Sequence, residues 1–390
     1  HTWIPDYSQQ APAASSAFLP ASLDKLLGIY FLARITTQLF VLGDGMRILL
    51  LALGVITIIT AVMMALIQHD YKRLLGFHAV SQVGYMVLGF GLGSLIGIAA
   101  GLFHMVNNAI YKGGLFLSAG AVEQQTGKSD LEELGGLSRA MPITFIATLI
   151  FALSISGIPP LNGFASKWMI YQGIIDFGQG SGLASQLWIL WLACAVLGSA
   201  LTLASFVKFL GGIFMGRRSE EFSAVKEVPP VMWLPMVVLA IVCIGFGVLA
   251  TDLVVPSLFM TATGEFAYTG IWSSSLVGIM VLVSIVLGLL IYMLGNIRNY
   301  RTSDSFVGGE KFQDELSYNT PEFYKSFQEF SWLKSLYRRA TEKWFDIYDQ
   351  LRNIFSWMGK ILSRAHSGVL HDYALWVFAG LVIILIIMIT

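Results

Sequence analysis

The sequence of residues 103–114 is Phe103-His104-Met105-Val106-Asn107-Asn108-Ala109-Ile110-Tyr111-Lys112-Gly113-Gly114, inside a long apolar run, residues 95–119. A run of about 20 apolar residues can cross a membrane as a helix. Because His104, Asn108 and Lys112 are four residues apart, each step turns only about 40° around a helix and all three face roughly one way. Ionisable groups inside a membrane are costly and usually belong to an ion pathway or proton relay. The alternative is a polar patch that a neighbouring helix satisfies.

Composition predicts a polytopic helical membrane protein. The mean hydropathy is +0.70, 56% of the 390 residues are hydrophobic and 12% are charged. A soluble domain carries about twice that charge. The net charge of zero argues against nucleic acid as a partner. Cys194 and Cys243 both lie in apolar runs, so we expect no disulfide framework and no metal site.

Hydropathy predicts an all-α bundle of membrane helices. Residues 1–20, with Pro5, Pro12 and Pro20, are interpreted as the tail of an interrupted membrane segment. The predicted helices cover residues 21–40, 47–67, 74–92, 95–119, 143–158, 188–214, 231–249 and 276–294, and an anchor covers 374–390. The helix at 74–92 carries His78, Ser81, Gln82 and Tyr85.

Pro159-Pro160 interrupts one of these helices. Two consecutive prolines remove two backbone donors and break a helix, and carbonyls freed at membrane depth need cover from protein or water. If the segments on either side are halves of one crossing, the basic loops fall on one side of the membrane, as the positive-inside rule prefers. Their basic residues are Lys72, Arg73, Arg217, Arg218, Arg298 and Arg301. We therefore predict a single broken crossing, which marks ion sites in transporters, with Lys167 just beyond the break.

The last 90 residues differ in composition from the rest. Residues 298–330 are polar, and we expect a loop on the basic side. From Ser331 to Arg364, apolar residues recur every three or four positions, which predicts an amphipathic helix about 50 Å long. It could lie in the plane of the membrane interface or run along the flanks of packed helices, with a coiled coil as the alternative.

Several motifs resemble one known family, the antiporter-like membrane subunits of complex I, energy-converting membrane-bound hydrogenases and Mrp-type sodium/proton antiporters. The opening His1-Thr2-Trp3-Ile4-Pro5-Asp6 is similar to the family's H-x-W-L-P-D-A, with Tyr7 replacing the alanine. Residues 19–30, which contain Lys25, resemble the lysine-bearing eighth helix. Residues 70–75 and 81–86 resemble D-x-K-R-L-L and S-Q-x-G-Y.

The stretch of residues 103–114 and the segment around Pro159-Pro160 resemble the same family. His104 and Lys112 are similar to its central histidine and lysine, although Asn108 departs from members that have a second histidine there. Residues 154–167 resemble its broken twelfth helix with a terminal lysine. His78, Asn107-Asn108 and Gly308-Gly309-Glu310 look most like the hydrogenase-type branch.

The resemblance implies a division of the chain. Residues 1–216 would form the second of two inverted antiporter-like repeats, and 217–297 additional transmembrane helices. Residues 298–368 would form the polar loop and lateral helix, and 369–390 the C-terminal anchor. The glutamate–lysine pair of the family's first repeat is not in this sequence. The chain also begins without Met or a signal-peptide pattern. We therefore expect part of a longer protein.

The resemblance also implies a site. We expect a proton path through Lys25, His104, Asn108, Lys112 and Lys167, with Asp24, His78 and Lys208 as additional candidates. Burial disfavours the charged form of a lysine, so a buried lysine can take up and release a proton. Lys208 could instead reach the membrane interface with its ammonium group.

The implied function is that of a non-redox, proton- or sodium-translocating subunit in a complex I-related pump of the membrane-bound hydrogenase type. We expect other membrane subunits and lipid as partners and a prokaryotic inner (cytoplasmic) membrane as the location. We expect no cofactor in this chain, and iron–sulfur and nickel–iron or quinone sites only in partner subunits. The alternative is a subunit of an Mrp-type secondary sodium/proton antiporter. A silent scaffold is disfavoured by the set of buried lysines.

Overall fold

The computed structural model describes residues 1–216, 218–268, 273–294, 324, 330–366 and 368–389. It contains two compact units, one of Trp3–Ser326 with His1 and one of Phe327–Thr390 with Thr2. Within the described residues the secondary structure is helical, and the β structure is limited to a bridge between Asp70 and Asp130. Seven described helices are long and apolar enough to cross a membrane. The prediction of an all-α polytopic membrane protein is confirmed.

The described residues of the first unit form ten principal helices. They are α1 Trp3–Gln10, α2 Ala13–Leu39, α3 Asp44–Leu66, α4 Tyr71–Leu92, α5 Leu95–Thr126, α6 Pro142–Ser156, α7 Asn162–Phe177, α8 Trp188–Phe214, α9 Pro230–Val248 and α10 Ser274–Leu294. A π-helical segment, Ala250–Met260, follows α9.

Helix α2 begins eight residues before the predicted start at residue 21, so that prediction is wrong. Pro20 lies inside the helix, within the π-helical turn Leu19–Leu23. Proline has no N–H to donate, and a π turn accommodates the locally altered hydrogen bonding without ending the helix. Pro20 therefore marks a widened turn here, whereas Pro12 directly precedes the start of the helix.

Helices α4 and α5 form a closely packed antiparallel pair. Asp70 caps α4 by accepting the N–H of Arg73 at 2.7 Å, which moves the helix start three residues before the prediction. Gly93 ends α4 with a left-handed φ of 66°. A Cβ on Gly89 would lie 2.8 Å from the Gly97 carbonyl oxygen, so only glycine permits this approach. Helix α5 continues to Thr126, seven residues past its predicted end.

The break predicted at Pro159-Pro160 separates α6 from α7. These helices have 15 and 16 residues, about 22 and 24 Å, and each is shorter than a hydrocarbon core of about 30 Å. Gly157 ends α6 at a φ of 84°. Helix α9 covers the exposed backbone through Gly247, where a Cβ would lie 2.0 Å from the Pro160 carbonyl oxygen. The protein thus supplies the cover that freed backbone groups need.

The second unit contains α11 Ser331–Thr341, α12 Ile347–Ala365 and α13 Leu370–Ile389. The expected single amphipathic helix is therefore two helices. Lys343 has a φ of 60°, and Asp346 starts α12 by accepting the N–H of Tyr348 at 3.0 Å. Almost all of the predicted polar loop, 298–330, lies outside the described residues, and the predicted boundaries at 216, 297 and 368 stay predictions.

Candidate functional site

The five residues predicted for the path are all buried. His104, Asn108 and Lys112 are 0% exposed, Lys25 is 2% exposed and Lys167 is 1% exposed. The three residues on α5 do not share one neighbour, however. His104 bonds to α4 and α7, Asn108 to α2, and Lys112 to α4. Helix α5 therefore connects three parts of the polar interior.

His104 has a hydrogen-bond partner at each ring nitrogen. Its Nδ1 lies 2.9 Å from Ser166 Oγ, and its Nε2 lies 3.1 Å from Gln82 Oε1. The Tyr111 hydroxyl lies 3.5 Å from both His104 Nε2 and Gln82 Oε1. Since Oε1 can only accept, the proton that this pair shares belongs to Nε2.

The Ser166 hydroxyl allows His104 to exist in two protonation states. When Ser166 donates to Nδ1, the imidazole is neutral. The Ser166 Oγ also lies 3.3 Å from the carbonyl oxygens of Asn162 and Gly163, so its hydroxyl can donate there instead and accept from a protonated Nδ1. A proton can therefore arrive at or leave Nδ1 while both ring nitrogens keep their partners.

Lys167 lies directly beside the break. Its ammonium donates to the Ile155 carbonyl at 2.8 Å, one of the carbonyls that α6 leaves without a helical donor. The C-terminal end of a helix also favours a cation. The same ammonium lies 4.7 Å from the Tyr85 ring centroid, and that ring lies 5.5 Å from the His104 ring. Tyr85 is thus the residue between His104 and Lys167.

Lys112 has a similar environment, about two helical turns along α5 from His104. Its ammonium donates to the Leu75 carbonyl at 2.7 Å and lies 5.9 Å from the Phe206 ring centroid. The His78 ring contacts Phe206 at 4.8 Å, and His78 Nε2 bonds Ser205 Oγ at 2.7 Å. His78 is therefore separated from Lys112 by an aromatic ring.

Lys25 lies in α2 two residues after the π-helical turn Leu19–Leu23. Its ammonium donates to the Pro20 carbonyl and lies 3.8 Å from an Asp24 carboxylate whose side chain is 42% exposed. Asn108 Nδ2 donates to the Ala21 carbonyl at 3.3 Å. These contacts bring the lysine of α2 next to the polar face of α5.

An amide pair attaches α5 to the break. Asn107 Nδ2 donates to the Asn162 carbonyl at 2.9 Å, and Asn162 Nδ2 donates to Asn107 Oδ1 at 3.0 Å. The Ser154 hydroxyl donates to Asn162 Oδ1. All three side chains are buried, so the pair fixes where α7 begins relative to His104.

Lys208 makes contacts that differ from those of the lysines in the predicted path. Its ammonium donates to the carbonyls of Leu66 at 2.9 Å and Gln68 at 2.7 Å, where α3 ends. A cation at the C-terminal end of a helix is stabilising. These contacts join α8 to the end of α3, and they are separate from the contacts of the five path residues.

The resemblance did not assign roles to several residues that complete the site. Gln82 and Tyr85 were visible as polar residues of a predicted membrane helix, and Asn162 and Ser166 lie beside the predicted break. The sequence feature that could have identified them is the one that identified His104, a polar side chain inside an apolar segment. Among the described residues, no carboxylate lies within 4.0 Å of the Lys112 or Lys167 ammonium. Both cations are held by backbone carbonyls.

Comparison with known proteins agrees with this architecture. A family model described as NADH:quinone oxidoreductase/Mrp antiporter, TM, matches residues 1–198. The Na(+)/H(+) antiporter subunit A1 of Staphylococcus saprophyticus is 36% identical over 263 residues, which are 63% of this chain and 32% of that protein. Hydrogenase-4 component B of Escherichia coli is 35% identical over 261 residues, which are 63% and 38%. The chain thus matches less than half the length of these relatives.

Two solved structures resemble the chain. A structure of the membrane-bound sulfane sulfur reductase (MBS), an archaeal respiratory membrane complex, matches with a TM-score of 0.76 and 25% identity, covering 99% of this chain and 65% of that chain. A structure of the Mrp complex from Dietzia sp. DQ12-45-1b matches with a TM-score of 0.59 and 25% identity, covering 68% and 58%. Together with the family match over residues 1–198, these likenesses show that the chain is an integral membrane protein of the NADH:quinone oxidoreductase/Mrp antiporter transmembrane family.

Proposed function

We propose that this chain translocates protons along a buried axis of lysine and histidine side chains. The observation that carries the proposal is the burial of Lys25, Lys112 and Lys167 with His104 in one helical unit, each lysine bonded to a backbone carbonyl. Intramembrane ionisable groups usually serve ion or proton movement.

Ordered water would complete the path between these groups. The Asn108 Oδ1 and His78 Nδ1 atoms are buried and have no hydrogen-bond partner among the described residues. Buried polar atoms are normally satisfied, by water where protein does not suffice. Water at Asn108 would lie between the α2 lysine and Lys112, and water at His78 would lie one helical turn from the Leu75 carbonyl that binds Lys112.

The proposed route has a central and a terminal part. Lys25, Asn108 and Lys112 would form the first, and His104, Tyr85 and Lys167 the second. The Ser166 hydroxyl makes His104 suited to transfer, because it can donate to or accept from Nδ1. In this assignment Lys112 is central and Lys167 lies nearest the exit at the break.

A redox-driven complex is the favoured setting. The MBS structure matches 99% of this chain, whereas the Mrp structure matches 68%, so the residues that follow the repeat fit the respiratory complex better. We propose a subunit of a complex I-related, hydrogenase-type pump in a prokaryotic inner membrane, with iron–sulfur and nickel–iron or quinone sites in partner subunits. The second candidate is an Mrp-type sodium/proton antiporter, favoured by the relatives of that name.

Purification in mild detergent followed by mass spectrometry of the co-purifying chains separates these settings. We expect iron–sulfur subunits together with nickel–iron or quinone-site subunits. Co-purification with small hydrophobic antiporter subunits alone would replace the redox-driven assignment with the secondary antiporter. Recovery of the chain alone would contradict both assignments, since each requires other membrane subunits.

A further inference from the structure

Lys72 and Glu123 form an ion pair that the proposed path does not use. Lys72 Nζ lies 2.8 Å from Glu123 Oε1 and 3.1 Å from Oε2. The Lys72 side chain is only 5% exposed, whereas the Glu123 side chain is 36% exposed. The pair therefore joins a buried cation on α4 to a carboxylate that water can reach on α5.

The register of α5 places this pair in line with Lys112. Glu123 follows Lys112 by eleven residues, which is about 20° from a whole number of helical turns and about 16 Å along the axis. The two side chains thus extend from the same face of α5. Helix α5 has 32 residues, about 48 Å, so its last turns extend beyond a hydrocarbon core of about 30 Å.

Helix α4 brings the two lysines closer than α5 alone would. Lys112 donates to the Leu75 carbonyl, and Lys72 precedes Leu75 by three residues, about 4.5 Å along α4. The Lys112 ammonium is therefore bound about one helical turn from the base of the Lys72 side chain. The neighbouring phenol of Tyr71 donates to the carbonyls of Ala119 and Lys128.

A cavity gives Glu123 access to the outside. It has a volume of about 290 Å³ and lies among α2, α5 and α9, with Pro12, Leu117, Gly120 and Met232 in its lining. Glu123 is the charged residue of that lining and Gln124 is its polar neighbour. The Glu123 carboxylate can therefore meet water in this opening, while the Lys72 side chain is only 5% exposed.

We propose that Glu123 and Lys72 form the gate through which Lys112 exchanges protons with water at the end of α5 that bears the basic loops; this rests on the proposed function. A proton from water binds a Glu123 carboxylate oxygen. Lys72 passes one of its own protons, through ordered water, to a neutral Lys112 and regains one from the Glu123 carboxyl. The pair returns to its starting charge, and one proton has moved from water to Lys112.

Vesicles containing the whole complex test the gate through initial rates of proton uptake over a range of pH. Glu123→Gln removes the carboxylate that accepts the proton, so we expect about a hundredfold or greater loss of rate at neutral pH, the usual range for a general acid–base group. Direct delivery from water then limits the rate, which should rise as the pH falls. Glu123→Asp should keep most of the rate.

The matched control is Glu133→Gln, which removes a more exposed carboxylate that pairs with Lys128 at 3.2 Å. This variant should leave the rate unchanged.

Wild-type rates for Glu123→Gln at every pH would overturn the gate, and so would an equal loss at every pH, which indicates structural damage. If that variant does not assemble, Lys72→Met combined with Glu123→Gln keeps the net charge and must give the same pH-dependent loss. Lys112→Ala belongs in the same series. If Lys112→Ala abolishes uptake and Glu123→Gln does not affect it, the gate alone is wrong; if Lys112→Ala also translocates normally, the proposed function is wrong.

Discussion

Replacement of Gly247 by alanine tests whether the packing of α9 maintains the break between α6 and α7. A Cβ at Gly247 would lie 2.0 Å from the Pro160 carbonyl oxygen and 2.6 Å from the Asn162 nitrogen, whereas ordinary contacts begin at 3.4 Å. Backbone atoms would therefore have to separate by about 1.4 Å, and overpacking of this kind typically costs about 1–3 kcal/mol. Because the neighbours are backbone rather than a flexible side chain, we expect the upper part of that range.

The matched control is Gly245→Ala on the same helix, where a Cβ meets nothing within 4 Å. Alanine there should be neutral or stabilise by about 0.5–1 kcal/mol, because glycine is unfavourable inside a helix. The assay is thermal unfolding of the purified complex at one scan rate, followed by tryptophan fluorescence. We expect Gly247→Ala to lower the midpoint by several degrees, at roughly 2–4 °C per kcal/mol, and to slow proton uptake. Equal midpoints for the two variants would refute the packing argument.

Three further substitutions separate structural from transport roles. Asn107→Leu leaves the buried Asn162 amide unsatisfied and should cost about 1–3 kcal/mol of unfolding free energy; an unchanged thermal midpoint would contradict the proposed attachment. Ser166→Ala removes the partner that lets His104 change protonation state, so uptake in vesicles should fall while the complex stays assembled, and Ser166→Thr should retain it. Lys208→Met should lower the thermal midpoint but leave the uptake rate of the assembled complex near wild type, and a loss of uptake there would return this lysine to the path.

Hydropathy and proline positions predicted the helices whose ends depend on the nearby sequence alone. Helix α8 has the bounds that its apolar run indicates, and the break falls at Pro159-Pro160 because proline has no backbone donor wherever it occurs. Pro20 was harder to interpret, since a π-helical turn absorbs it. The interruption of the amphipathic stretch near Lys343 has no Gly or Pro signal, and its apolar spacing continues across it.

The partners of the buried groups could not be predicted from the sequence. Spacing indicates that Lys112 and His104 share a face of α5. Every residue has a backbone carbonyl, however, so the sequence cannot show that those of Leu75 and Ile155 accept hydrogen bonds from lysines. Which one accepts from a lysine depends on how α4, α5 and α6 pack. The helix end predicted at residue 119 likewise left Glu123 outside α5, whereas the helix continues through it.

The most direct test of the account is proton uptake by vesicles containing the complex with Lys112→Ala, compared with the wild type at equal amounts of assembled complex. If the buried lysine carries the proton, uptake should fall about a hundredfold or more, in the range that loss of a proton-transferring group produces, while assembly is unchanged. Uptake at the wild-type rate by an intact Lys112→Ala complex would contradict the central role of this lysine.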